Sequence, residues 1–147
     1  MSPGAFWDTS ALVPLCVLQP TTASALALRK QFEIVVWWAT EVEVTSALAR
    51  LLRMNVLPSL DWRQAHKTAA ELAQSWTVVK PSSALRSKAQ QIVMNFDLRA
   101  GDALQLAAAL EWCADSPGGR SFLTADLRLY DAALLSGFDA RSLERGI

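Results

Sequence analysis

The chain has 147 residues, about the allotment of one domain, and a chain of that length can bury about two-thirds of its unfolded surface without disulfide or metal staples. Hydrophobic residues make up 52% and charged ones 19%, a balance too apolar for a disordered chain and too often interrupted for a membrane bundle. Fourteen Lys and Arg offset fourteen Asp and Glu, which excludes nucleic-acid binding through a global basic field and leaves only local patches for it.

In chain order, Ala5-Phe6-Trp7 reads as a first buried strand, followed by a short helix over Ser10 to Leu18 that Pro14 or Pro20 breaks. The uncharged window from Thr9 to Leu28 is long enough to raise the question of a membrane span. Pro14 and Pro20 interrupt it and Gln19, Thr21, Thr22 and Ser24 make its second half polar, so no membrane association is expected. No basic stretch precedes it, so no signal peptide is expected either, and a cytoplasmic location is the default. Thr22 to Lys30 predicts another helix. Ile34-Val35-Val36-Trp37-Trp38 is β-branched and aromatic throughout, as expected of a strand covered on both faces.

From Thr40, Val44, Ala47, Leu48, Leu51 and Leu52 repeat at helical spacing and form a core-facing stripe that ends at Leu57-Pro58. Asp61 is placed to cap a polar-faced helix reaching about Gln74, and Trp76-Thr77-Val78-Val79 predicts a third strand. Pro81-Ser82-Ser83 is a turn and cap leading into a helix through about Met94. A further helix runs from about Arg99 to Cys113, and Ser116-Pro117-Gly118-Gly119 is an exposed turn. Ser121-Phe122-Leu123-Thr124 is the fourth strand, Leu127 to Ser136 a helix closed by Gly137, and Phe138 opens a short edge strand. Strands alternating with helices predict a three-layer α/β sandwich around a mostly parallel sheet of four or five strands, as a single domain over residues 1–147.

Cys16 and Cys113 stand alone in apolar segments without CxxC spacing and read as buried free thiols. His66 lies beside Lys67 in a polar helix and reads as solvated surface. These assignments exclude a zinc hydrolase and a histidine-based triad.

Ligands of open parallel sheets bind beyond the carboxyl ends of the strands. Asp8 directly follows the first strand, Glu41 and Glu43 begin the helix after the second, and Asp126 sits two residues past the fourth. Asp102 lies in the first turn of the helix preceding that strand. Each is also a plausible helix-start residue, since carboxylates are favoured there by capping and by the macrodipole. Thr40-Glu41-Val42-Glu43 fits the Ser/Thr-x-x-Glu capping box. Asp8 and Asp102, however, sit in strongly apolar surroundings without neighbouring basic residues. Desolvated carboxylates that converge repel one another unless a cation compensates. Oxygen ligands select Mg²⁺ or Mn²⁺, and ions so held serve phosphoryl chemistry.

Four segments, Phe6-Trp7-Asp8-Thr9-Ser10-Ala11-Leu12-Val13, Glu43-Val44-Thr45-Ser46-Ala47-Leu48-Ala49-Arg50, Leu98-Arg99-Ala100-Gly101-Asp102-Ala103-Leu104-Gln105-Leu106-Ala107 and Phe122-Leu123-Thr124-Ala125-Asp126, occur in an order that resembles the PIN domain. The resemblance is to the VapC-like ribonuclease toxins of bacterial toxin–antitoxin pairs in particular, and it spans nearly the whole chain. It implies a Mg²⁺- or Mn²⁺-dependent endoribonuclease with Asp8, Glu43, Asp102 and Asp126 as its acidic site. Asp8, Asp102 and Asp126 are then the metal ligands and Glu43 positions or deprotonates the attacking water. Thr9, Ser10 and Thr124 orient the carboxylates behind them, and Arg99 either pairs with Asp102 or meets a phosphate. Glu41 competes with Glu43 for the second acidic place, with Glu43 favoured because Ala47 and Arg50 follow it at the family's spacing. Gln105 stands where many relatives carry histidine.

The resemblance further implies an RNA substrate, an antitoxin partner and a homodimer, and a near-zero net charge leaves little repulsion against association. Arg50, Arg53, Lys80, Arg86, Lys88 and Arg128 are candidates for gripping RNA, although charges on helices most often mark a solvated face. Trp7, Trp37 and Trp38 fall in strands and read as core or interface, while Trp62, Trp76 and Trp112 are placed to form exposed apolar patches. Two other classes of function were weighed. A receiver-like phosphoacceptor needs an Asp at the end of the third strand, where Lys80-Pro81 stands instead. A catalytically weak PIN-like module that binds RNA or protein remains the alternative.

Overall fold

The computed structural model describes residues 2–145. Five segments pair into one sheet: Gly4–Trp7 (β1), Glu33–Trp37 (β2), Thr77–Val79 (β3), Ser121–Thr124 (β4) and Asp139–Ser142 (β5). Their order is β3-β2-β1-β4-β5 and every pairing is parallel. The sheet is thus wholly parallel, where the sequence pattern left room for an antiparallel edge. Parallel neighbours require crossovers, and seven helices supply them: Thr9–Cys16 (α1), Thr22–Gln31 (α2), Thr40–Arg53 (α3), Ser59–Ser75 (α4), Ser83–Asn95 (α5), Ala100–Trp112 (α6) and Leu127–Leu135 (α7), with a 3₁₀ turn at Leu143–Arg145.

The two faces of the sheet divide the core by strand alternation. Ala5, Trp7, Ile34, Val36 and Leu123 pack with α1 to α4, through side chains such as Leu12, Leu28, Leu48 and Ala65. Phe6, Val35, Trp37 and Phe122 pack on the opposite face with α5 to α7, through Leu85, Leu106 and Leu129. Phe6 and Phe122 are cross-strand partners whose rings stack at 5.4 Å, an arrangement that ties β1 to β4 at the centre of the sheet. The three-layer sandwich follows from strands that are apolar on both sides.

Several local expectations change. Pro14 does not break α1, which runs through it to Cys16; the ring is buried in the core and its missing N–H forfeits a single helical bond to the Ser10 carbonyl. Asp61 is not the cap of α4, which starts at Ser59 with Pro58 in the capping position and Asp61 in its first turn. The second strand stops at Trp37, leaving Trp38 60% exposed beyond the sheet. Trp62, Trp76 and Trp112 are half-buried, so among the tryptophans it is Trp38 that offers apolar surface to solvent. Cys113 is buried but Cys16 is only half-buried. Lys88 is not a free cation: it pairs with Asp115 and, at 3.8 Å, with Glu111. No helix among the described residues is long and apolar enough to cross a membrane.

Candidate active site

The chain leaves β1 to one side, through β2 and β3, and returns to the other side as β4 and β5. The order therefore reverses between β1 and β4, and the crevice beyond their carboxyl ends is where a parallel sheet offers its binding site. Asp8 is the first residue past β1, and its amide extends the ladder by bonding the Leu123 carbonyl of β4 at 3.1 Å. Its side chain is 3% exposed. Oδ1 accepts from the Ser10 hydroxyl at 2.6 Å and from the Ala11 amide at 3.2 Å, and Oδ2 accepts from the Thr124 hydroxyl at 2.9 Å. Burial nevertheless dominates and pushes the Asp8 carboxyl up to about 7, against the lowering effect of those three bonds and with a further push from the charge of Asp102.

Ser10 and Thr124 do more than hold Asp8. The Ser10 oxygen accepts the Ala125 amide at 2.8 Å and the Thr124 oxygen accepts the Asp126 amide at 2.9 Å, so both hydroxyls knit the exit of β4 to the exit of β1. Asp126 is then fixed as the cap of α7, with its Oδ1 accepting the Arg128 amide at 2.8 Å and the Leu129 amide at 3.2 Å. Capping and clustering are thus compatible, since the cap occupies one carboxylate oxygen.

Asp102, in the first turn of α6, is half-buried and raised by desolvation first and by the charge of Asp126 second. Arg99 and Arg128 oppose that rise through space. Arg99 is exposed and makes no ion pair with Asp102 within 4 Å among the described residues; Arg128 meets Asp97 at 3.7 Å with both side chains mostly in solvent.

Glu43 does not close a capping box with Thr40. The cap position of α3 is Ala39, without a side-chain bond, and the Glu43 carboxylate turns instead to the Gln105 amide at 2.8 Å. Burial raises it, the hydrogen bonds from Gln105 and from the Thr9 hydroxyl lower it, and Asp102 raises it. Glu41 is exposed and lies outside the cleft.

Asp8, Glu43, Asp102 and Asp126 therefore line one cleft of about 400 Å³ at the switch point, together with Thr9 and Ser10. The cleft also contains Gln105, which sequence reasoning noted without giving it a role, and Glu144, which it left aside. Glu144 follows β5, whose parallel register with β4 carries its carboxyl end to the same edge. The signal that singled out Asp126 would have found Glu144 had β5 been located with certainty; its sequence, Asp139-Ala140-Arg141-Ser142, lacks the apolar pattern of a strand.

As the side chains stand, no three His, Cys, Asp or Glu residues among those described are grouped closely enough to hold one metal ion. The donor chemistry nonetheless fits a hard divalent cation. The acidic side chains that line the cleft offer only oxygen, and the charge of Asp102 pushes Asp8 toward its neutral form as that of Asp126 pushes Asp102.

Fold and site together define a parallel α/β protein with a polyacidic cleft at its switch point. The family model of the PIN domain matches residues 5–135. The chain belongs to the PIN domain family, whose members are generally nucleases. Solved structures share the fold: PAE2754 from Pyrobaculum aerophilum (TM-score 0.66, 19% identity, covering 99% of this chain and 93% of that one) and a toxin–antitoxin complex from Klebsiella pneumoniae (TM-score 0.62, 16% identity, 86% and 90%). VapBC2 from Rickettsia felis, solved with a DNA fragment from its promoter, is similar as well (TM-score 0.64, 10% identity, 94% and 97%). No functionally curated protein matches the sequence significantly.

Proposed function

We propose that this chain is a Mg²⁺- or Mn²⁺-dependent endoribonuclease and acts as the toxin of a bacterial toxin–antitoxin pair. The observation that carries the reading is Asp8: a carboxylate 3% exposed, fixed by Ser10 and Thr124 at the switch point and facing Asp102 without a cationic contact among the described residues. Such a group is stabilised as an anion chiefly by a cation. Family membership and the toxin–antitoxin complexes among the structural neighbours support the same reading.

In this mechanism Asp8, Asp102 and Asp126 would hold the ion. When bound, it supplies an activated water and neutralises charge on the phosphodiester oxygens. Glu43, raised by burial but with its anionic form favoured by the amide of Gln105 and the hydroxyl of Thr9, accepts the proton of the attacking water. Ser10 and Thr124 fix both oxygens of Asp8, so that little reorganisation is needed when an ion arrives. Arg99 and Arg128, both exposed and both near enough to lower Asp102 through space, are candidates to meet phosphates of the RNA.

An antitoxin segment has a surface to occupy. An apolar hollow of about 350 Å³, lined by Leu18, Leu51, Val56 and Leu57, adjoins the acidic cleft through Gln19, which borders both. Trp38 offers a second apolar surface, for a homodimer. A cytoplasmic site of action completes the reading.

The test is cleavage of RNA by the purified chain with Mg²⁺ or Mn²⁺. Activity is expected to stop on chelation and to be abolished in Asp102→Asn, with the metal-free stability of that variant equal or higher because a repelling charge is gone. Cleavage that persists in excess EDTA counts against the mechanism. A second reading, a PIN-like module that binds RNA or protein without cutting, is favoured by the spacing of the carboxylates. It predicts RNA retention without products under any metal.

A further inference from the structure

We propose that Gln105 is a positioning residue for this reaction: its buried amide holds the Glu43 carboxylate in the orientation in which that group accepts a proton from water. The proposal rests on the ribonuclease reading above.

Gln105 lies one turn after Asp102 on α6 and is 2% exposed. The other buried residues of that helix are Ala103, Leu106, Ala107, Ala108 and Ala109, so Gln105 is the one polar side chain in an otherwise apolar face. Its Nε2 lies 2.8 Å from Glu43 Oε1, 3.2 Å from Thr9 Oγ1 and 3.3 Å from Thr40 Oγ1. An amide nitrogen carries two hydrogens. The short, charge-assisted contact takes one, and the two threonine oxygens share the other. The Thr9 hydroxyl in turn donates to Glu43. The carboxylate is thereby gripped by two donors that are themselves linked, one from α6 and one from α1.

The remaining amide atom points to the same role. Oε1 is buried and finds no hydrogen-bond partner among the described residues, a loss that a methionine of similar shape would avoid. Turning the amide over would bring that oxygen against the Glu43 carboxylate and is repulsive. The amide is therefore accounted for by what Nε2 holds. Because a neutral amide does not titrate, it supplies this grip without adding a proton equilibrium of its own.

The experiment compares wild type, Gln105→Met, Gln105→His, Glu43→Gln and the double variant Glu43→Gln/Gln105→Met in steady-state RNA cleavage and in thermal unfolding. Gln105→Met is expected to lower kcat by about 10- to 100-fold with KM within about two-fold, and to leave Tm equal or higher. Gln105→His, which keeps a ring N–H donor, restores part of the loss. The double variant is expected to be no slower than Glu43→Gln, because the amide acts through that carboxylate. In the metal-free chain, the Gln105 side-chain amide protons are expected to exchange slowly by NMR and to lose that protection in Glu43→Ala. Wild-type kcat in Gln105→Met, fully multiplicative losses in the double variant, or fast amide exchange in the wild type each overturn the positioning role alone. A wild-type chain that leaves RNA intact overturns the ribonuclease reading and this role with it.

Discussion

A carboxylate that is 3% exposed and bonded to Ser10, Thr124 and the Ala11 amide holds its proton more tightly in the folded chain than in the unfolded one, because burial outweighs the three bonds. The Asp8 carboxyl is raised to about 7 from its ordinary 3.8. Between those values the folded state binds the proton that the unfolded state has lost, so this group's contribution to stability is complete below the lower value and gone above the higher one. Asp8→Asn removes the proton equilibrium without changing the shape. In metal-free buffer the variant is therefore expected to gain on the wild type as pH rises from about 4 to about 7, read as a growing difference in Tm. A difference that stays flat across that range rules out the buried, raised carboxylate. Saturating divalent metal is expected to abolish the gain.

The same scale separates what the residues announce from what they conceal. Asp8, Asp102 and Asp126 were legible because apolar neighbours and strand ends mark them out. Of Glu41 and Glu43, it is Glu43 that lines the cleft and meets Gln105, a contact between residues far apart in the chain. Gln105 itself carries no signal in the chain: its function lies in contacts to Thr9, Thr40 and Glu43, residues 96, 65 and 62 positions away.

Among the elements, three helices end in the same backbone device. At the ends of α3, α6 and α7 the amide two residues past the cap bonds back five residues, Val56 to Leu51, Asp115 to Leu110 and Phe138 to Ala133. The amide just past the cap makes the inner bond, Asn55 to Leu52, Ala114 to Glu111 and Gly137 to Leu134. This Schellman closure requires a left-handed residue at the inner position. Asn55 has φ 56°, Ala114 has φ 50° and Gly137 has φ 107°. Glycine and asparagine take that conformation readily, whereas alanine pays a steric penalty of about 1 kcal/mol. Ala114→Gly is therefore expected to stabilise the protein by about 0.5–1 kcal/mol, measured as a rise in denaturant midpoint at constant slope. A fall in the midpoint overturns the strain argument. Gly137 was legible as a helix stop because glycine signals its own freedom; Ala114 was not, since nothing in its side chain betrays the backbone it adopts. For the same reason Pro14 misleads, reading as a breaker when the buried ring packs in the core, and β5 is faint because a polar edge strand needs no apolar alternation.

At the scale of the whole molecule, residues distant in sequence meet because every strand runs the same way and the order reverses beside β1. Asp8 and Asp126 cap α1 and α7, and Glu43 and Asp102 lie in the first turns of α3 and α6. Four helix starts thus bring their positive ends and their carboxylates to one place. The dipoles offset part of the repulsion, each worth about 0.3–1 kcal/mol, which is too little to ionise a group as buried as Asp8. A divalent cation held by the cleft would offset the remainder, and because the unfolded chain scatters these carboxylates, its binding would be linked to folding. At about 100 times its dissociation constant, Mn²⁺ or Mg²⁺ is expected to stabilise the chain by about 2.7 kcal/mol. For a domain of this size that is a rise in Tm of about 5–10 °C. Sodium chloride at matched ionic strength should reproduce little of it, since screening acts weakly on buried charges. The rise should vanish in Asp8→Asn and shrink in Asp126→Asn, whose capping oxygen remains but whose charge does not. No metal-dependent rise, or one retained in Asp8→Asn, means that the carboxylates of the cleft do not act together on a cation.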